Sequence, residues 1–94
     1  MATVTFSGTV SAQVAAGETV TITITKPDNT TETVTTPTKV DKTFSTTKDY
    51  TIAGAYSAIA GIASDPTWTA ATSPSVPFTI ALQTRTITLN TTVA

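Results

Sequence analysis

The sequence contains no cysteine and no histidine. The chain therefore has no thiolate or imidazole nucleophile, no disulfide and neither of the commonest zinc ligands, and it lacks the side chain that most often serves as general base. Charge is scarce as well: 12% of residues are charged, against about 25% in an average domain. Lys26, Lys39, Lys42, Lys48 and Arg85 are scattered and offset by six acids, for a net charge of -1. Nucleic-acid binding needs a concentrated basic patch, so that class is not expected. No apolar run approaches the ~20 residues of a membrane-spanning helix, so membrane insertion is not expected either. The opening MATVTFSGTV lacks the basic start and apolar stretch of a signal peptide. The expectation is an excised piece of a longer extracellular or cell-surface protein.

What remains is a strand-forming vocabulary. Threonine makes up more than a quarter of the 94 residues, and Thr, Val and Ile favour the pleated surface of a sheet. In ETVTITITK (18–26), Thr19, Thr21, Thr23 and Thr25 alternate with Val20, Ile22 and Ile24. A two-residue period of this kind marks a strand with one face on a core. The same period links Val4, Phe6, Val10, Ala12 and Val14, with Gly8 in the inward row as the place for a bulge or a switch between sheets. AAGE (15–18) reads as a turn. KPDNT (26–30) closes a hairpin: Pro27 and Asp28 suit the central positions of a type I turn, and Asn29 the left-handed residue that follows.

TETVTT (31–36) returns with Val34 inward, and Pro37 ends it. KVDKTFSTT (39–47) carries Val40 and Phe44 as a short or edge strand beside Asp41 and Lys42. DYTIAGAYSAIAGIAS (49–64) is rich in alanine, but Gly54 and Gly61 disfavour a helix. Tyr56, Ala58, Ala60 and Ile62 keep the strand period there, which turns Ile59 outward. SDPTWTAATSPS (64–75) reads as a loop. VPFTIALQ (76–83) places Val76, Phe78, Ile80 and Leu82 inward, and RTITLNTTV (85–93) begins a new alternation on the odd positions. Seven or eight short strands joined by turns predict an all-β antiparallel sandwich with no helix. Its expected core is Val20, Ile22, Ile24, Phe44, Tyr56, Ile62, Phe78 and Ile80.

FSGTVSAQVAAGETVTITITKPDNTTETVTT, then KTFSTT, GAYSAIAGIA and TSPSVPFTI, together resemble a bacterial or archaeal immunoglobulin-like repeat. The resemblance covers about residues 5–82. It rests on turn and core motifs, which are specific for a fold and weak for a function. It implies an immunoglobulin-like sandwich over 1–83, with 84–94 as an extra C-terminal strand, a linker or an assembly strand. It further implies a tandem module of surface, stalk, adhesin or S-layer-type proteins, whose partners are neighbouring immunoglobulin-like domains or copies of itself. The cysteine pair of antibody domains is missing, and Trp68 sits in a loop rather than in the third strand.

Six features are candidates for a site. The threonine rows could form an ordered hydroxyl array with a repeat of roughly 6.6 Å, but a twisted sheet is a poor flat surface, and an uncharged coat is the simpler reading. Asn29 and Asn90 begin N-x-T sequons, the glycosylation pattern. Trp68 could stack on a sugar, making a carbohydrate-binding module that recognises surface glycans the alternative function, while Tyr50 and Tyr56 share the inward parity. Lys26, Glu32 and Asn90 are the residue types of an isopeptide crosslink, although Asn90 lies outside the matched region. Asp28, Asp41, Asp49 and Asp65 form no calcium-loop pattern, and no two acids are expected to share a pocket. Ile87, Leu89 and Val93, with Ile59, could pack on this domain or on another copy. The expected role is non-catalytic and structural or adhesive, with no cofactor.

Overall fold

In a computed structural model that describes residues 2–93, the chain forms seven antiparallel strands and, among those residues, no helix. They are β1 (Ala2–Thr9), β2 (Thr19–Thr25), β3 (Thr31–Pro37), β4 (Thr43–Tyr50), β5 (Gly54–Ile62), β6 (Ala71–Thr72) and β7 (Val76–Ile80). β1 and β4 make a two-stranded ribbon, in register from Ala2 opposite Tyr50 to Thr9 opposite Thr43. The second sheet has the order β3-β2-β5, and β6 and β7 both pair with the far side of β5. Val76 faces Ala58 and Thr72 faces Gly61, so Ser73, Pro74 and Ser75 stand opposite only Ile59 and Ala60. β6 and β7 are therefore one edge strand interrupted by a bulge. Pro74 and Pro77 are tolerated there because an edge strand need not donate on both sides.

The two sheets face each other over one row of side chains. Val20, Ile22 and Ile24 of β2 are the most deeply buried residues, and the ribbon lays Phe44 and Tyr50 against them in the same cluster. Four aromatic rings bind the layers at one end. Phe78 stacks on Tyr56 at 5.1 Å and meets Phe6 edge-on at 5.7 Å, while Tyr50 lies 4.8 Å from Tyr56. Such ring pairs contribute about 0.5–1.5 kcal/mol each beyond the area they bury. Ile62 and Phe78, expected at the centre of the core, are partly buried and flank it.

Two turns are built alike. In the first, Asn29 N–H donates to Lys26 O at 3.0 Å, and Asp28 Oδ1 accepts from both the amide and the hydroxyl of Thr30. In the second, Lys42 N–H donates to Lys39 O at 3.0 Å, and Asp41 Oδ1 accepts from both groups of Thr43. Asn29 and Lys42 hold the left-handed position in each, at φ 67° and 68°. The first turn forms as expected. The second replaces the strand expected at Val40, whose side chain points into solvent at the turn tip. The shared Asp-x-Thr spacing is the signal for it.

One flank of the sandwich is stitched shut. The chain passes from β3 to β4 through the second turn, Thr36 Oγ1 donates to Ser45 O at 3.2 Å, and Tyr50 OH donates to Glu32 Oε1 at 2.8 Å. The opposite flank, between β1 and β7, has no such link among the described residues.

Several inward assignments do not hold. β1 keeps its even row, but the ladder runs unbroken through Gly8, which lies under the Phe44 ring with no bulge or sheet switch. Beyond Val10, β4 offers no further partner, so Val14 is exposed. Val76, beside the bulge, and Leu82, past the last ladder pair, are exposed too. The last strand ends at Ile80, so 81–83 fall outside the sandwich expected over 1–83. Residues 1 and 94, the ends of the two expected segments, lie outside the described residues.

Truncating Ile24 to Ala is expected to cost about 2–5 kcal/mol of unfolding free energy, read from urea titration. Lysine has no preference for the left-handed region, so Lys42→Asn is expected to stabilise by on the order of 0.5–1 kcal/mol in the same titration.

Candidate functional site

Trp68 is placed by its own loop. Asp65 Oδ1 accepts from the amides of Thr67 and Trp68 at 2.8 and 2.7 Å, and Asp65 N–H donates to Trp68 O, which tightens 65–68 into a turn. The indole lies at one end of the sandwich, 45% exposed. It forms part of the wall of an open cleft of ≈ 440 Å³, with Val10, Val20, Phe44 and Ile62. Tyr50 and Tyr56 are in the core instead, their hydroxyls bonded to Glu32 and to Ile52 O. Neither tyrosine therefore joins Trp68 in a sugar platform.

Glu18 and Asp65 meet at this same end, a pairing of acids not expected from the sequence. The Asp65 side chain hydrogen-bonded to it, and some burial, push the Glu18 carboxyl up. Donation from the backbone N–H groups of Trp68 and Thr67 holds Asp65 down. Both are half-buried, and neither lines the cleft. Their separation in sequence, across a whole sheet, leaves no local signal for the contact.

At the other end the acid is Glu32, and its role is structural. It points inward from β3, takes the Tyr50 hydrogen bond, and lies 3.4 Å from Lys26 and 3.5 Å from Lys48. Burial pushes its carboxyl up, but the Tyr50 hydroxyl and the two ammonium groups outweigh that and hold it below the usual range. Burial, and then Glu32 itself, push the Tyr50 hydroxyl well above its ordinary value. Lys26 and Glu32 are thus together, as a crosslink would need, but Asn90 lies in the exposed tail beyond the last strand.

The other acids are also occupied. Asp28 and Asp41 are held down first by their Thr30 and Thr43 hydroxyl donors, and Asp49 accepts from Thr3 Oγ1 at 2.6 Å across the ribbon. Among the described residues, no three acids converge on a point that could hold a metal ion.

The outer face of the larger sheet carries the threonines. Thr21, Thr23 and Thr25 stand opposite Thr35, Thr33 and Thr31, and Thr23 also neighbours the outward Ile59 of β5. Among the described residues, nothing covers this face. Asn29 sits at an exposed turn tip, where a glycan would meet no obstruction. Asn90 is exposed as well.

The tail is the largest departure from a closed domain. Residues 81–93 form no strand and are exposed throughout, with Ile87, Leu89 and Val93 at 97%, 86% and 93%. They do not pack on the sandwich as an extra strand. The extended tail lengthens the molecule to 81 Å, with a radius of gyration of 19.4 Å, against roughly 13 Å for a compact chain of about this length.

No family model, no curated protein and no solved structure matches this chain.

Glu32 is held down in the folded chain, so its contacts stabilise above the unfolded carboxyl value of about 4.3. That contribution is lost as pH falls through the lower folded value. Glu32→Gln is expected to show a lower urea midpoint than the parent at about pH 7 and to converge with it by about pH 3. Midpoints that stay equally far apart across that range would remove the ion pairs from the account.

Proposed function

We propose that the chain is a non-catalytic immunoglobulin-like module doing structural or adhesive work in a prokaryotic extracellular assembly, as a spacer between neighbours or as a self-assembling unit. The strand pairing carries this reading. In this reading β1 and β4, which pair, take the places of B and E of an immunoglobulin-type sandwich, and the order β3-β2-β5-β7 takes those of C′-C-F-G, with the first strand of the pattern unfilled. The sequence resemblance over 5–82 follows the same order of strands and turns.

The polar groups support the same role. Each of the six acids engages a turn, a cross-strand hydroxyl, an ion pair or another acid. The threonine coat keeps the large sheet wettable without charge.

The half-exposed Trp68 beside an open cleft favours the second reading, a carbohydrate-binding module. A titration of Trp68 fluorescence with a panel of polysaccharides separates the two. No saturable shift is expected. A saturable shift with any polysaccharide that disappears in Trp68→Ala would move the assignment to glycan recognition.

A further inference from the structure

β1 is the unguarded edge of this sandwich. β3 closes one sheet edge and carries Glu32 and Pro37, and the β6–β7 edge carries Pro74, Pro77 and a bulge. β4 has Lys48 in its inward row and Asp49 beside it, and it is stitched to β3. Charge, proline and bulges are the usual means of keeping another strand from adding to a sheet. β1 has none of them. Its eight residues, Ala2–Thr9, include no charge and no proline, and they pair with β4 on one side only.

That free edge borders the open flank. Between β1 and β7 runs a cleft of ≈ 340 Å³, lined by Val4 and Phe6, by Ile22 and Ala58 at its floor, and by Val76 and Phe78 on the far side. The exposure of Val76, unexpected for an inward position, is exposure to this cleft. A strand laid along β1 would extend the ribbon and cover these side chains.

The chain itself carries a segment of that form. Arg85–Val93 has Ile87, Leu89 and Val93 on one parity and Thr86, Thr88, Asn90 and Thr92 on the other, the same division as Val4 and Phe6 against Thr3, Thr5 and Ser7. Its nine residues match the eight of β1, and its single charge, Arg85, lies at the start. β7 delivers the tail at the end of the sandwich where β1 begins, since Ile80 faces Gly54 just after the Tyr50 that faces Ala2. Reaching its own β1 would require a reverse turn at once, and residues 81–89 contain no Gly, Pro, Asn or Asp to form one. A returning tail would also run parallel to β1, the less stable pairing. A tail that projects outward can meet another molecule antiparallel.

We propose that Arg85–Val93 is a donated strand: it pairs along β1 of a second copy, with Ile87 and Leu89 in that copy's open cleft. This deepens the structural reading above and rests on it. Donor and acceptor are different surfaces, so the contact is head-to-tail and generates open chains, or rings where the rotation closes.

The test uses the full chain in size-exclusion with light scattering at rising concentration, beside the double variant Ile87→Lys/Leu89→Lys. The parent is expected to exceed its 9.7 kDa monomer mass in a series that continues past the dimer. The double variant is expected to remain monomeric with an unchanged thermal midpoint, since neither side chain touches its own sandwich. A synthetic peptide of residues 84–93, added to that variant, is expected to bind one per chain and shift the amide resonances of Ala2–Thr9. A parent that stays monomeric at its highest soluble concentration overturns the proposal, as does a double variant that still assembles. Loss of thermal stability in a monomeric double variant also overturns it, by placing the tail on its own domain. A glycan-binding result would sink the structural reading without altering these masses, so the two failures are distinguishable.

Discussion

The structure depends on one contact: the face of β2 against the β1–β4 ribbon. Two strands are at best marginally stable alone in water, and the ribbon holds its register because Phe44 and Tyr50 are pressed onto Val20, Ile22 and Ile24. The larger sheet needs the ribbon equally, since its inward row would otherwise face solvent. With no disulfide and few charges, this apolar seam and the aromatic cluster around Phe78 carry most of the cohesion. The stitched β3–β4 flank aligns the layers, and the β1–β7 flank is left to the side chains alone.

The polar residues serve the backbone more than the surroundings. Asp28, Asp41 and Asp65 each turn the chain by accepting hydrogen bonds from groups two or three residues ahead. Such bonds are local, which is why a chain so poor in charge can place its turns securely. Glu32 works over a longer range, joining β3 to β4 through Tyr50 and Lys48. Threonine supplies solubility and β-propensity together on the outer face, where lysine or glutamate would supply only solubility.

The asymmetry of the two flanks connects the fold to the proposed role. A sandwich closed on both sides would present only its coat and its loops. This one presents an uncharged strand edge, an apolar cleft beside it, and a separate apolar segment extending past the last strand. These features sit on different parts of the molecule, so the strand donation proposed above would join copies in series.

Local chemistry alone determined a good part of this. The alternation of ETVTITITK places Val20, Ile22 and Ile24 inward because a strand's side chains repeat every two residues whatever it pairs with. Pro27-Asp28-Asn29 forms its turn from its own hydrogen bonds, and parity identified Tyr50 and Tyr56 as core. Tertiary structure decided which inward positions are covered. Val14, Val76 and Leu82 share the parity of buried neighbours but lie where the opposite layer has ended or never arrives. Val40 was misread as a strand residue because Asp-Lys is a weaker turn signal than Asp-Asn, and only the path from one sheet to the other shows the turn it occupies. The meeting of Glu18 with Asp65, the union of Glu32 with Lys48 and Tyr50, and the open flank all join residues far apart in the chain. Periodicity reports which way a side chain points; burial depends on whether another strand stands opposite, and that is settled only when the two sheets come together.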